Sequence, residues 1–210
     1  MSRLASSLVL GTTNPGKLRE LVALLAPLGI ECRSLAGLAA AVDVEETGET
    51  FAENAALKAV AQARALGAWV LAEDSGLVLP ALGGAPGVRS ARFSGPLPPG
   101  STATVDDRNN ALLLERLAGR SGRDRAAHYA CHAALSDPAG TIVATSQGTC
   151  GGMIAPAPRG AGGFGYDPLM FIPELGRSVA ELDAVTKNGL SHRARAMVSL
   201  REQLREVWGL

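Results

Sequence analysis

Residues 69–79 read Trp-Val-Leu-Ala-Glu-Asp-Ser-Gly-Leu-Val-Leu and place two adjacent carboxylates between two short apolar runs. Residues 69–71 are typical of a buried strand, and residues 77–79 continue as strand. We therefore expect Glu73 and Asp74 at or just past a strand end, where the backbone turns and a ligand can approach. Adjacent carboxylates repel each other, so a site that gathers them usually supplies a cation. The stretch predicts that Asp74 binds Mg²⁺; a solvated Glu-Asp-Ser-Gly turn is the alternative.

Composition restricts the partners that the chain binds. The 210 residues carry 20 basic and 20 acidic side chains, so the formal net charge is zero. No global field attracts polymeric nucleic acid, and a small ligand held by a few local charges is the better expectation. Lysine occurs only as Lys17, Lys58 and Lys187. A lysine is a compact point charge that suits phosphate oxygens beside a metal, so these positions favour a functional role, with coincidence as the alternative.

Location is suggested by what the sequence lacks. Residues 1–5 begin like a signal peptide, but the apolar run that follows is too short. No apolar segment is long enough to span a bilayer. Cys32, Cys131 and Cys150 are sparse and have no metal-ligand spacing, which fits apolar fillers in a reducing compartment. We therefore expect a cytoplasmic protein with no membrane partner.

The N-terminal segment predicts a strand, a tight loop and a helix. Residues 7–10 are apolar, and leucines then recur at helical spacing from Leu18 to Leu28. Asn14 is a plausible N-cap with Pro15 at the first helical position. Lys17 then lies in the first turn, where the helix dipole and backbone N–H groups favour a phosphate.

Residues 11–18 are close to the P-loop pattern of nucleoside triphosphatases but do not match it. Leu18 replaces the Ser or Thr whose hydroxyl ligates Mg²⁺, and Pro15 removes an N–H group from the loop. We therefore reject the P-loop and keep anion binding at a helix start. The metal ligand must then come from elsewhere in the chain, and Asp74 is the candidate.

A second helix carries further polar candidates. Residues 50–53 form a capping box that opens a helix ending near Leu66, so Glu53 is expected to cap its own helix. Asn54 and Lys58 are four residues apart and share one face. That face is either a polar edge turned toward a cleft or a solvated helix surface.

A glycine-rich loop supplies the aromatic candidates. Residues 159–168 contain four glycines around Phe164 and Tyr166 in a chain that is only 4% aromatic. Glycines let the backbone approach a ligand, and an aromatic face stacks on a base. Two buried rings anchoring the loop are the alternative. His192 and Arg193 open the final helix, either as donors to a ligand or as a solvated first turn.

The order of elements predicts the fold class. Strands and helices alternate in the first half of the chain, and a turn signal at residues 137–140 joins two strands in the second half. We expect an α/β protein with a mixed, twisted sheet in two lobes, flanking helices and a central nucleotide-binding cleft. Residues 1–210 then form a single two-lobed domain.

Taken together, these stretches resemble one family, the inosine/xanthosine triphosphate pyrophosphatases that remove deaminated purine nucleotides. The resemblance spans nearly the whole chain, and six motifs carry it in order: residues 12–17, 45–55, 73–77, 86–92, 162–168 and 191–193. One departure is Glu73, at a position that is usually aspartate in the family. The resemblance implies Mg²⁺-dependent hydrolysis of ITP, dITP or XTP to the monophosphate and pyrophosphate, by a cytoplasmic homodimer.

The resemblance also implies roles for individual residues. Asp74 is the catalytic carboxylate and a metal ligand, Glu46 is a second metal ligand and catalytic acid, and Lys58 faces the same cleft. The phosphates are held by Lys17 together with Thr12, Thr13, Asn14, Pro15 and Gly16. The nucleotide, its base included, is held by Ser75, Phe164, Gly165, Tyr166, Asp167, Lys187, His192 and Arg193.

These roles imply a mechanism, and two other functions remain open. Asp74 or Glu46 orients or deprotonates the water that attacks the α-phosphorus, and the lysines stabilise the departing pyrophosphate. A donor from His192 or Arg193 to the 6-oxo group disfavours adenine. The alternatives are a pyrophosphatase for other modified nucleotides and a nucleotide-binding regulator without turnover.

Overall fold

A computed structural model describes residues 7–209 of the chain. The expectation about a signal segment at residues 1–5 lies outside this part. The described residues form seven strands and five α-helices, joined by short 3₁₀ turns and loops. Within residues 7–209, none of the helices is both long enough and apolar enough to cross a membrane. The three cysteines are free thiols.

The elements are defined by the following bounds. The strands are β1 (Ser7–Leu10), β2 (Glu31–Ser34), β3 (Val70–Val78), β4 (Ala126–Ser136), β5 (Ile142–Ile154), β6 (Met170–Ile172) and β7 (Arg177–Ser178). The α-helices are α1 (Pro15–Leu25), α2 (Phe51–Leu66), α3 (Val105–Arg116), α4 (Ala184–Leu190) and α5 (His192–Trp208).

The strands form one mixed sheet. Their order is β2-β1-β3-β4-β5-β6-β7. Strand β1 is parallel to both β2 and β3, whereas β6 is antiparallel to β5 and β7. Parallel neighbours need a crossover, and helices α1 and α2 supply it after β1 and β2. The predicted α/β class with a mixed sheet and flanking helices is confirmed.

The expectation of a turn at the two acids is wrong. Strand β3 runs without interruption from Val70 to Val78, so Glu73 and Asp74 lie in its middle. Gly76, which follows the two acids and is typical of a turn, is required here by close packing. A Cβ on Gly76 would lie 2.6 Å from the carbonyl oxygen of Gly87 and would collide with Ser90. The Ser90 hydroxyl accepts from the Leu77 N–H at 2.9 Å, so Gly76 allows a close approach inside a strand.

The described chain forms two compact units. The first contains the described residues up to Asp74, Cys131–Thr149 and the described residues from Ser191 onward. One face of its strands packs against α1 and α5, through the buried residues Leu10, Leu71, Cys131, Leu21 and Leu200. The other face packs against α2, where Ala55 and Ala59 contact Ala72 and Ala134. This two-sided burial explains why β3 is apolar over residues 70–72.

The second unit contains Ser75–Ala130 and Cys150–Leu190. Its core joins Leu77 of β3 to Leu113 of α3, Ile154 of β5 and Tyr166 of the glycine-rich loop. This core buries one of the two rings that the sequence places in that loop.

Candidate active site

The alternation of side chains along β3 separates the two adjacent acids. Successive residues of a strand face opposite sides of the sheet. Glu73 lies on the side of Leu71, toward α1 and α5, and Asp74 lies on the side of Ala72, toward α2. Each carboxylate therefore has its own set of partners.

Helix α2 supplies the partners of Asp74. The Lys58 ammonium lies 3.2 Å from Oδ1 of Asp74, and the Asn54 amide donates to Oδ2 at 3.3 Å. The same ammonium lies 2.8 Å from Oε1 of Glu46. The expectation that Asn54 and Lys58 share one face is confirmed. Lys58 thus bridges two carboxylates that are distant in sequence.

Glu46 belongs to the irregular segment between β2 and α2, and Asn54 fixes that segment. The fully buried Asn54 accepts from the Gly48 N–H at 2.8 Å and donates to the Gly48 carbonyl at 3.3 Å. A Cβ on Gly48 would lie 2.7 Å from the Asn54 amide oxygen, so a glycine is needed for this approach. One amide side chain therefore positions both the loop of Glu46 and the carboxylate of Asp74.

Charge and burial shift the pKa values of Asp74 and Lys58 in opposite directions. Burial raises the pKa of Asp74, and the attraction of Lys58 and Lys17 reverses only part of that shift. Burial alone would lower the pKa of Lys58, but the negative charges of Asp74 and Glu46 outweigh it, so its pKa is raised. The ammonium therefore remains charged at neutral pH.

Glu53 provides a test of which acids near this helix are structural. The Thr50 hydroxyl accepts from the Glu53 N–H, while the Glu53 carboxylate accepts from the Glu49 and Thr50 N–H groups at 2.8 and 2.9 Å. We expect Glu53→Gln to lower the thermal midpoint, because the cap is weakened, and to leave turnover within about twofold. Calorimetry and a steady-state assay check both parts. A large loss of turnover at unchanged stability would place Glu53 in the chemistry instead.

Glu73 lies in a buried ion group on the opposite side of β3. Its Oε1 accepts from Lys17 at 3.1 Å and from Nε and Nη2 of Arg193 at 3.3 and 3.2 Å. Arg193 also donates to Glu20, and the Cys131 thiol lies 3.5 Å from Oε2 of Glu73. The group joins α1, β3, β4 and α5. It accounts for the carboxylate at position 73 without a metal.

Burial and the neighbouring carboxylates together determine the protonation of Arg193 and Cys131 in this cluster. Arg193 is 1% exposed; its burial opposes the charge, but the carboxylates of Glu73 and Glu20 raise its pKa. Burial and the charge of Glu73 raise the pKa of the Cys131 thiol well above its ordinary value. Arg193 is therefore a buried cation and Cys131 a neutral donor. That Arg193 binds the base stays a prediction.

The predicted phosphate loop has the local geometry that its sequence suggests. Oδ1 of Asn14 accepts from the N–H groups of Gly16 and Lys17 at 2.8 and 3.0 Å, which confirms the N-cap with Pro15 at the first helical position. Thr12 accepts from the Asn14 N–H at 3.2 Å. Thr13, Asn14 and Pro15 are exposed, whereas Gly16 is buried. The loop presents its tip to solvent at the start of α1.

In the second unit, Asp167 contacts Tyr129 and two of the predicted nucleotide-binding residues, Phe164 and Lys187. Its Oδ2 accepts from the Lys187 ammonium at 2.6 Å and from the Phe164 N–H at 3.0 Å, and its Oδ1 accepts from the Tyr129 hydroxyl at 3.0 Å. The Lys187 ammonium also lies 4.7 Å from the centre of the Phe164 ring. Burial and the charge of Asp167 raise the pKa of Tyr129, which therefore stays a donor.

The remaining residues predicted to bind the nucleotide differ in burial and in hydrogen bonding. Tyr166 is a core side chain whose hydroxyl donates to the Ser90 carbonyl at 2.9 Å. Gly165 donates through its N–H to Asp106 at 2.7 Å. Ser75 follows Asp74 on β3 and is half-buried, and His192 is buried as the first residue of α5. Their contact with a nucleotide stays a prediction.

Sequence reasoning missed Glu20, Tyr129 and Cys131. Glu20 had a signal, since it follows Lys17 by three residues and shares its helix face. Tyr129 and Cys131 had none, because a single polar or thiol side chain inside an apolar strand gives no pattern. Only the packing of strands and helices shows that Glu20 meets Arg193, that Tyr129 meets Asp167 and that Cys131 meets Glu73.

The carboxylates of Glu46 and Asp74 fit a divalent metal ion that is bound together with a substrate. Among residues 7–209, no group of three or more His, Cys, Asp or Glu side chains is arranged to hold an ion by itself. Mg²⁺ in phosphate-processing sites is usually held by one or two carboxylates and by substrate phosphates. Glu46 and Asp74 supply two hard oxygen donors directed at one cation, the Lys58 ammonium.

Comparison with known proteins places the chain in a family. A family model described as Ham1 family matches residues 8–203. The dITP/XTP pyrophosphatase of Geobacillus kaustophilus is 49% identical over 202 residues, which are 96% of each chain. The structure of the Staphylococcus aureus Ham1 protein aligns with a TM-score of 0.81 and 35% identity over 96% of this chain and 99% of that one.

A HAM1 protein from Coxiella burnetii aligns with a TM-score of 0.82 and 39% identity, over 95% of this chain and 98% of that one. The family match covers most of the chain, and the relatives are similar over almost their whole lengths. The resemblance inferred from the six motifs is thereby confirmed: this chain belongs to the Ham1 family.

Proposed function

We propose that this chain hydrolyses the deaminated purine nucleoside triphosphates dITP, XTP and ITP to the monophosphate and pyrophosphate, with Mg²⁺ held by Glu46 and Asp74. The curated relative described above is a dITP/XTP pyrophosphatase at 49% identity. The observation that carries the proposal is the bridge from Lys58 to Glu46 and Asp74. It gathers two acids and a lysine, the groups that phosphoanhydride hydrolysis requires.

The residues divide into those that handle the phosphates and those that handle the nucleoside. Mg²⁺, when bound, neutralises phosphate oxygens and activates water. Asp74 or Glu46 orients the attacking water toward the α-phosphorus. Lys17, at the start of α1, and Lys58 stabilise negative charge on the departing pyrophosphate. Thr12, Thr13, Asn14, Pro15 and Gly16 form the loop that precedes Lys17.

The glycine-rich loop carries groups proposed for the nucleoside. The Phe164 ring is half-buried, so its accessible part offers an apolar surface to a base, and Asp167 and Lys187 fix the loop that carries it. Ser75, Gly165, Tyr166, His192 and Arg193 complete the proposed nucleotide-binding set. A cytoplasmic homodimer is part of the same proposal and rests on the family resemblance.

A substrate panel tests the function directly. We expect pyrophosphate as the product from ITP, dITP and XTP with Mg²⁺, and kcat/KM at least about 10²-fold lower for ATP, because its 6-amino group meets a donor. Separate assays for pyrophosphate and orthophosphate check the product. Release of orthophosphate alone would contradict the proposed reaction.

The same panel separates the two alternatives. Preference for modified pyrimidine or methylated nucleotides would assign the chain to another branch of pyrophosphatases. A ligand-induced rise in thermal midpoint with no product from any nucleotide would favour a binding protein without turnover. The intact set of Lys17, Glu46, Lys58 and Asp74 favours the enzyme.

A further inference from the structure

The contact of Lys58 with Glu46 and Asp74 points to a second role for this lysine, besides the stabilisation of the departing pyrophosphate. Its ammonium lies 2.8 Å from an oxygen of Glu46 and 3.2 Å from an oxygen of Asp74. Asp74 is held by a strand, whereas Glu46 lies in the irregular segment that precedes α2. A rigid element thus carries the cation that draws a loop carboxylate toward a strand carboxylate.

The burial of the three side chains makes this contact strong. Lys58, Glu46 and Asp74 are 15%, 26% and 7% exposed. Water screens charges poorly at this depth, so two carboxylates in one place need a cation between them. Asn54, one turn before Lys58, holds the other oxygen of Asp74 and the backbone of Gly48.

From this geometry we infer that Lys58 is a positioning residue that holds Glu46 beside Asp74 and competes with the divalent ion for the same two oxygens. The inference rests on the proposed function. An ion that takes these oxygens displaces the ammonium, and the two cations repel each other unless further anions are present. The phosphates of the substrate are such anions, and they give the ammonium new acceptors.

Two consequences follow for binding. Without nucleotide, the divalent ion binds weakly, because it must displace the Lys58 ammonium from both of its carboxylate partners. With nucleotide, the phosphates supply oxygens to both the ion and the ammonium. The divalent ion and the nucleotide therefore each strengthen the binding of the other. The Asn54 contacts keep Asp74 and the backbone of Gly48 in place while the lysine changes partners.

The test uses Mn²⁺ as the probe and follows the free ion by electron paramagnetic resonance. Titrations are made with the full chain and with Lys58→Met, Lys58→Gln and Lys58→Arg, each with and without a non-hydrolysable ITP analogue. Arg64→Met is the matched control, because it removes a positive charge from an exposed part of the same helix. Circular dichroism establishes that each variant is folded.

We expect Lys58→Met and Lys58→Gln to bind Mn²⁺ without nucleotide at least about tenfold more tightly than the natural chain, because the competing charge is gone. The gain in affinity that the analogue produces becomes smaller. Lys58→Arg keeps the charge and the weak binding, and Arg64→Met behaves as the natural chain does. Equal or weaker Mn²⁺ binding by both neutral variants overturns the inference.

The outcome for the natural chain separates this inference from the proposed function. A natural chain that binds no Mn²⁺ even with the analogue, or releases no pyrophosphate from ITP, contradicts the proposed function. A natural chain that does both, with neutral variants that bind no more tightly, contradicts only the role of Lys58.

Discussion

We expect replacement of Asp74 by asparagine to lower the turnover of ITP by at least about 10³-fold, equivalent to about 4 kcal/mol of transition-state stabilisation. The substitution keeps the size of the side chain and removes the charge that we propose for the metal and the attacking water. Asp74 is 5% exposed, and its two carboxylate oxygens are held by Lys58 and Asn54, so its position is well defined. Steady-state kinetics with a pyrophosphate assay measures the effect.

The variant must remain folded for this result to count. In Asp74→Asn the Lys58 ammonium keeps Glu46 as a partner at 2.8 Å, so the helix and the loop stay connected. A matched control is Asp137→Asn, which removes a carboxylate from the turn between β4 and β5, where it accepts from the Thr141 N–H. Turnover within tenfold of the natural chain in a folded Asp74→Asn protein would remove Asp74 from the mechanism.

We expect replacement of Arg193 by methionine to lower the free energy of unfolding by about 3–5 kcal/mol, because it removes the buried cation that Glu73 and Glu20 share. Arg193 is 1% exposed and donates to both Glu73 and Glu20. Removing one partner of such a group costs more than the group contributed as a whole. Unfolding in urea, followed by circular dichroism, measures the loss.

Arg201→Met is the control on the same helix. Arg201 is half-buried and donates to the Leu24 carbonyl at 3.4 Å, so a loss well under that of Arg193→Met is expected. A separate measurement tests whether Arg193 binds the base: steady-state kinetics at a temperature where the Arg193→Met protein is folded. A kcat/KM ratio of ITP to ATP that falls sharply would support that role, and an unchanged ratio would leave Arg193 a structural residue.

The local structure could be predicted because neighbouring residues create it. Asn14 and Pro15 define the start of α1, and Thr50 with Glu53 defines the start of α2, since capping depends on atoms within three residues. Asn54 and Lys58 share a face because the helix repeat requires it. The six motifs added the family, and with it the expectation that Asp74 and Glu46 work together.

The continuation of β3 through its two acids could not be predicted from neighbouring residues. Its Glu-Asp-Ser-Gly sequence is typical of a turn, yet it continues as strand because partners from distant segments compensate its polar groups. Ser90 meets the backbone beside Gly76, and Lys58 and Arg193 meet the two acids from opposite faces of the sheet. A local pattern contains no information about such partners.

The sequence by itself determined the starts of α1 and α2, the mixed α/β class, the family and the candidate residues carried by the six motifs. Only the tertiary structure decided which charges meet: Lys58 with Asp74 and Glu46, and Lys17 and Arg193 with Glu73. The physical reason is that adjacent strand residues face opposite sides of a sheet, whereas helix packing selects which lysine or arginine reaches each side. Propensity and capping act over a few residues, but ion pairs in a core depend on elements that folding brings together.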